Sequence, residues 1–94
     1  MDDISRLNTE NLRGKRAKQL LEDPLIKESF DLLERELVEG LIATPADEAV
    51  KREKLHMMLV YGRKWRNTFQ IMIESGTLAQ FDLDERRKFK LWGR

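Results

Sequence analysis

The middle of the chain repeats apolar residues at the spacing of α-helical faces. Between residues 26 and 41 they recur every three or four positions, at Ile26, Phe30, Leu33, Leu37 and Leu41. A later stripe steps as a heptad, through Leu55, Met58, Gly62, Trp65, Phe69 and Met72. Because such spacing places apolar side chains on one side of a helix, it predicts two amphipathic helices, a middle helix and a longer third helix.

Helix boundaries are predicted at two places where a capping residue is followed directly by proline. Asp23-Pro24 offers a capping oxygen followed by a proline at the first helical position, where the missing N–H is not needed. Thr44-Pro45 repeats this pattern. We therefore expect a middle helix over residues 24–43 and a third helix over 45–75, with Gly76 as its left-handed C-cap.

Apolar residues do not recur at a regular helical spacing at either end of the chain. Thr9 or Asn11 is suited to cap a short helix that ends at Glu22 and has a weak apolar side. The sequence thus predicts an all-α fold, an antiparallel helical hairpin with a short extra N-terminal helix and extended termini. Its expected parts are a flexible N-terminal arm (1–10), a helical domain (11–79) and a basic-aromatic C-terminal tail (80–94).

The middle helix is much shorter than the third helix. At a rise of 1.5 Å per residue, their lengths are roughly 28 Å and roughly 46 Å. A hairpin turning at Thr44 leaves the apolar stripe of the distal third helix beyond the end of the middle helix. Because large exposed apolar patches are rare, we expect the N-terminal helix to cover part and a second copy or another protein the rest. The residues predicted for association are Trp65, Phe69, Met72 and Ile73.

The composition argues against several kinds of chemistry. The 94 residues include no cysteine, and the single histidine, His56, has no second potential metal ligand three or four residues after it. No glycine-rich phosphate loop or catalytic signature is present. No apolar run approaches the roughly 18–20 residues that span a bilayer. We therefore expect a non-enzymatic protein with no cofactor, no metal, no small-molecule substrate and no membrane partner.

Charge is unevenly distributed along the chain. Residues 22–48 carry nine acidic and two basic side chains, and residues 49–74 carry six basic and two acidic ones, within a total of +1. Opposite segments commonly face each other or copies of themselves, which is our favoured interpretation. Clustered bases also attract phosphate, so a nucleic acid is an alternative partner.

The last segment of the chain combines bases with aromatic side chains. Aromatic residues and arginine dominate the energetics of protein interfaces. We therefore predict that this segment docks onto a partner protein, in preference to the alternative that it is simply a frayed end. Its expected contact residues are Arg86, Arg87, Lys88, Phe89 and Trp92.

The helical pattern and its punctuation resemble a known group of proteins. The similarity is carried by Arg16–Phe30, Leu33–Leu37, Thr44-Pro45, Arg52–Leu55 and Glu74–Ala79. These segments, within residues 16–79, resemble small helical-hairpin proteins encoded among the particle-assembly genes of tailed bacteriophages. The resemblance contains no catalytic motif.

This resemblance implies a multi-copy structural or assembly protein of a phage particle. Its expected location is the virion, or the host cytoplasm during assembly. Its expected partners are further copies of itself, as a homo-oligomer, and other phage structural proteins. Two alternatives are a nucleic-acid-binding packaging-associated subunit and a small inhibitor of a host protein, whose acidic middle helix mimics nucleic acid.

Overall fold

The chain folds into three α-helices. A computed structural model describes residues 3–92, with side chains described for 3–90, and it contains no strand in this range. The helices are α1 (Asp3–Glu22), α2 (Pro24–Ala43) and α3 (Ala49–Trp92). The predicted all-α class, with a helical hairpin and an additional N-terminal helix, is confirmed.

The three helices contribute to two compact units. Unit 1 combines Met1–Leu21 with Phe69–Arg94, so it contains α1 and the distal part of α3. Unit 2 is the continuous segment Glu22–Thr68, which contains α2 and the proximal part of α3. The third helix therefore supplies a packing surface to each unit.

The start of α2 follows the predicted capping chemistry. The Asp23 side chain accepts hydrogen bonds from the backbone N–H groups of Leu25, at 2.9 Å, and Ile26, at 3.2 Å. Pro24 is the first helical residue. Because the cap satisfies amides that have no partner inside the helix, it stabilises this end by about 1 kcal/mol.

The junction between α2 and α3 differs from the prediction. Thr44 ends α2, and its hydroxyl donates to the Gly40 carbonyl at 2.6 Å. The Arg52 guanidinium donates to the carbonyls of Leu41, at 2.9 Å, and Thr44, at 2.8 Å. The predicted start of the third helix at Pro45 is wrong, because Thr44 and Arg52 satisfy carbonyls of α2 and α3 begins only at Ala49.

Unit 2 is an antiparallel helix pair with large side chains in its core. Phe30, Leu37 and Leu59 are buried. At the far end of the pair, the Phe30 and Trp65 rings lie 5.0 Å apart between centroids, tilted by 59°. The expectation that Trp65 lies beyond the end of the middle helix is wrong, because the late start of α3 shifts the register.

Unit 1 is a second antiparallel helix pair, in which the backbones approach closely. A Cβ atom built on Gly14 would lie 2.9 Å from the Gly76 Cα and 2.8 Å from the Met72 carbonyl oxygen. Ala17 and Ala79 are buried beside this crossing. Helix α3 continues past Gly76, so the predicted C-cap there is wrong, and no glycine in residues 3–92 has a positive φ.

Both end segments are helical where they are described. Residues 3–10, predicted as a flexible arm, form the first turns of α1. Burial of Leu7 and the ion pairs of Arg6 with Asp3, at 2.7 Å, and Glu10, at 3.2 Å, stabilise these turns. Residues 80–92 form the last turns of α3, so the described part of the predicted C-terminal tail is helix.

Candidate protein-interaction surfaces

The residues predicted for association divide between the two units. Trp65 is 59% exposed although one side of its ring meets Phe30. Phe69, Met72 and Ile73 are half-buried in unit 1. Met72 lies at the helix crossing, and Ile73 lines a groove beside it, so α1 covers part of this stripe.

The predicted docking residues near the C-terminus have different surroundings. Arg86 donates to Asp3 and, at 3.3 Å, to Asp82, while Lys88 lies 3.4 Å from Glu85. Arg87 is exposed, and Phe89 is the most exposed aromatic side chain of residues 3–90. Trp92 is the last residue of α3, and its side chain lies outside the described residues. The bases are thus partly committed to ion pairs, whereas the Phe89 ring faces solvent.

An ion network joins the first turn of α1 to α3. Hydrogen bonds from Arg6 and from Arg86 lower the pKa of the Asp3 carboxyl. The hydrogen bond from Arg86 to Asp3, together with one to Asp82, raises the pKa of Arg86. Because all these side chains are exposed, the network adds little to the free energy of unfolding. Its main effect is to favour the alignment in which Asp3 of α1 lies beside Arg86 of α3.

Acidic side chains of α2 pair with basic side chains of α3 inside unit 2. The Arg63 guanidinium donates to Glu34 at 2.7 Å, and this hydrogen bond lowers the pKa of Glu34. Arg66 lies 3.8 Å from Asp31 and stands over the Phe30 ring. Part of the charge asymmetry along the sequence is therefore neutralised within this unit.

An exposed apolar stripe runs along α3 in unit 1. We call it the α3 outer stripe, and its members are Ile71, Leu78, Phe81 and Phe89. Their side chains are 56–72% exposed. Steps of seven and eleven residues keep Ile71, Leu78 and Phe89 on the side of α3 away from the buried Gly76, and Phe81 lies at the edge of this side, next to the groove that Ile73 lines. Apart from Phe89, sequence reasoning missed them, although the step from 71 to 78 was a readable signal.

The outward side of α2 combines apolar and acidic side chains. We call it the α2 outer face, and its members are Leu25, Glu28, Leu32, Arg35, Glu36, Glu39 and Ile42. The three apolar residues are 47–80% exposed. The three glutamates take part in no ion pair within residues 3–90. This face lies opposite Phe30 and Leu37, so it is free of the unit 2 core.

A groove of about 410 Å³ runs beside the helix crossing of unit 1. One wall carries Lys15 and Lys18 of α1, and the other carries Thr77 and Phe81 of α3. The floor includes Gly14 and Gly76, where the absence of side chains makes room. The groove therefore offers positive charge on one side and an exposed aromatic ring on the other.

A polar chain closes one end of this groove. The Asn11 amide donates to the Gln80 side-chain oxygen at 2.6 Å, and the Gln80 amide donates to Asp84 at 2.8 Å. Asn11 is thus a groove residue and not the predicted helix cap. The groove thus has one carboxylate, that of Asp84, which lies at the same end as Phe81 and away from the end that Lys18 lines.

The interior of unit 2 offers little space for a ligand. A cavity of about 20 Å³ lies among Phe30, Leu37, Leu59 and Gly62, which is room for about one water molecule. His56 is exposed, and residues 3–92 contain no group of three metal-ligating side chains. Within the described range, no helix is both long and apolar enough to cross a membrane.

Known proteins add no assignment to these surfaces. Comparison with family models, with curated proteins and with solved structures finds no match for this chain. Function is therefore inferred from the chemistry of the α3 outer stripe, the α2 outer face and the groove beside the helix crossing, which we call the unit 1 groove.

Proposed function

We propose that this chain is a non-enzymatic structural or assembly component of a tailed-phage particle and acts through protein–protein contacts. The phage setting follows from the resemblance of residues 16–79 to small helical-hairpin proteins of particle-assembly genes. The contact role is supported by one structural observation, the alignment of exposed apolar side chains on the outward sides of α2 and α3.

Alignment distinguishes these side chains from ordinary exposed apolar residues. Single apolar residues scattered over a surface are common and need no partner. The α3 outer stripe instead places Ile71, Leu78 and Phe89 on one side of a helix, with Phe81 beside them. A row of large apolar side chains on a rigid helix is the pattern by which helices anchor in protein grooves. Burying this row in a partner removes apolar surface from water, which favours association.

The test is the fate of the protein during infection by the phage that carries its gene. We expect mass spectrometry to detect the chain in purified virions or in isolated assembly intermediates. Absence from both would overturn the proposal. Detection alone is not sufficient, so the same particles are prepared with variants of the α3 outer stripe.

The decisive variant replaces Leu78 and Phe89 by serine. Both side chains are exposed, so the helical content of the purified chain should stay unchanged while incorporation into particles falls at least tenfold. Val50→Ser is the matched control, because Val50 is equally exposed but lies in unit 2. Incorporation of the Leu78 and Phe89 variant at the level of the control would contradict the contact role of the stripe.

A further inference from the structure

We propose that the unit 1 groove binds the α2 outer face of a second copy of this chain. This inference deepens the proposed function, because it names one partner and the two surfaces that meet. The groove supplies Lys15, Lys18 and the Phe81 ring. The α2 outer face supplies glutamates and exposed aliphatic side chains on one helix.

The charges of the groove select an acidic partner. Lys15 and Lys18 both lie on the flank of α1 that borders the groove, and neither forms an ion pair within residues 3–90. The residues of α1 from 12 to 21 include four basic and no acidic side chains. The one carboxylate of the groove, Asp84, already accepts a hydrogen bond from Gln80. An acidic helix laid along the lysines therefore gains favourable charge contacts.

The α2 outer face has the matching chemistry. Glu36 and Glu39 follow Leu32 at helical spacing, and all three side chains are exposed. Ile42 adds an apolar anchor one turn further on and is 80% exposed. An amphipathic helix of this kind binds a groove through its apolar residues, while the flanking charges fix its orientation.

A pairing of α2 with α2 of another copy is disfavoured. Helix α2 carries five acidic and two basic side chains, and two of the acids pair with α3 of their own chain. The outer face is left with three glutamates and Arg35. Because like charges across an interface are repulsive, this face requires a basic surface as its partner.

Each copy carries both the groove and the face, which has a consequence for assembly. Groove and face are different surfaces, so two copies either fill each other's groove as a two-fold dimer or bind head-to-tail, which leaves a surface for the next copy. Repetition of the head-to-tail contact builds a ring when the rotation closes and a filament when it does not. In each of these assemblies every contact consists of one groove and one face.

Charge reversal of the full-length chain tests the pairing. Sedimentation equilibrium of the wild-type chain should show concentration-dependent association that weakens as salt increases. Reversal in the groove (K15E with K18E) and reversal on the face (E36K with E39K) should each weaken association at least tenfold. The quadruple variant restores opposite charges and should recover association to within about threefold of wild type.

Mixing the two reversed variants provides a second arm. In the mixture the unaltered acidic face of the groove variant matches the unaltered groove of the face variant, and the reversed groove matches the reversed face. The two variants should therefore form a mixed assembly that neither variant forms alone. The charge-matched control is K51E with K54E, because these lysines are exposed in unit 2 outside both surfaces. The control should associate like the wild type.

Three outcomes would overturn the inference. One is a wild-type chain that stays monomeric up to millimolar concentration, and another is association that the quadruple variant does not restore. The third is binding of duplex DNA that requires Lys15 and Lys18 and is stronger than self-association. None of these outcomes bears on whether the chain is detected in virions or assembly intermediates, so failure of this inference is distinguishable from failure of the proposed function.

Discussion

The two units use the same helix, α3, for two kinds of packing. In unit 2 the α2 and α3 contact is filled by large side chains, with Phe30, Leu37 and Leu59 buried. In unit 1 the backbones meet at Gly14 and Gly76, and the buried neighbours are alanines. A continuous heptad on one helix therefore does not determine the distance at which its partners pack. The difference predicts that unit 2 is damaged by removing atoms and unit 1 by adding them.

Phe30→Ala should give the largest loss of stability. Phe30 is buried against Leu37, Leu59 and the Trp65 ring, so truncation removes an aromatic contact and leaves a cavity. We expect the free energy of unfolding of unit 2 to fall by about 3–5 kcal/mol, measured by urea denaturation. Phe89→Ala is the control and should change stability by less than about 0.5 kcal/mol, because Phe89 is exposed. Equal losses would remove the basis for placing the core at Phe30.

Adding one methyl group at Gly76 should give the next largest effect. A Cβ there would lie 2.9 Å from the Gly14 Cα and 3.0 Å from the Glu10 carbonyl oxygen, and backbone atoms cannot rotate away. Gly76→Ala is expected to destabilise unit 1 by about 1–3 kcal/mol. Amide hydrogen exchange in α1 measures this change directly.

Gly62→Ala is the matched substitution in unit 2. Apart from the adjoining backbone of α3, no atom lies within 4 Å of a Cβ built at Gly62, so no close contact requires a glycine here. We expect a gain of up to about 1 kcal/mol from the better helix propensity of alanine. The same sign of change at Gly62 and Gly76 would contradict the contrast between the units.

Arg52→Met should destabilise unit 2 by a smaller amount. Its guanidinium donates to two carbonyls at the end of α2, which would lose these hydrogen bonds while the aliphatic part of the side chain is kept. A loss of about 1–2 kcal/mol is expected by urea denaturation. Lys51→Met removes a neighbouring charge from an exposed position and serves as the control. A loss in the control as large as in the variant would indicate that charge alone is responsible.

The smallest expected effects concern the two exposed carboxylates with lowered pKa values. Hydrogen bonds from Arg6 and Arg86 act on Asp3 in unit 1, and one from Arg63 acts on Glu34 in unit 2. A carboxyl with a depressed pKa in the folded state stabilises that state above the unfolded pKa. This contribution is lost as the pH falls through the depressed value.

Carboxyl carbon NMR measures both titrations in one experiment. Arg63→Gln should return the pKa of Glu34 towards its ordinary value and leave that of Asp3 unchanged. Added salt should raise both pKa values, because the pairs are exposed. A shift of Asp3 in the Arg63 variant would show that the two units are electrostatically coupled.

Capping chemistry was readable from the sequence at one junction and ambiguous at the other. Asp23-Pro24 has a single interpretation, because a carboxylate before proline accepts from the first amides of a helix, and the structure confirms it. Thr44-Pro45 has two possible interpretations, since proline is common both at the start of a helix and just after its end. The choice depends on Arg52, which lies eight residues later and satisfies the carbonyls of α2.

The surfaces of unit 1 were harder to predict for a related reason. Gly76 was interpreted as a helix end, but glycine also permits two helix backbones to approach, and only the opposite Gly14 reveals this second role. Leu7 and the pairs around Arg6 make residues 3–10 helical, although their apolar period is weak. The groove could not be predicted, because it results from two segments about sixty residues apart in sequence.

The discontinuous make-up of unit 1 affects the order in which the chain folds during synthesis. Unit 2 is one stretch of sequence, so its helices emerge from the ribosome in succession and pair early. Helix α1 is made before unit 2, but its packing partner, beginning at Phe69, is made after unit 2. The nascent chain therefore carries a basic helix with Leu7 and Ala17 uncovered until the segment that begins at Phe69 has emerged, and this interval is when α1 is most open to chaperones and proteases.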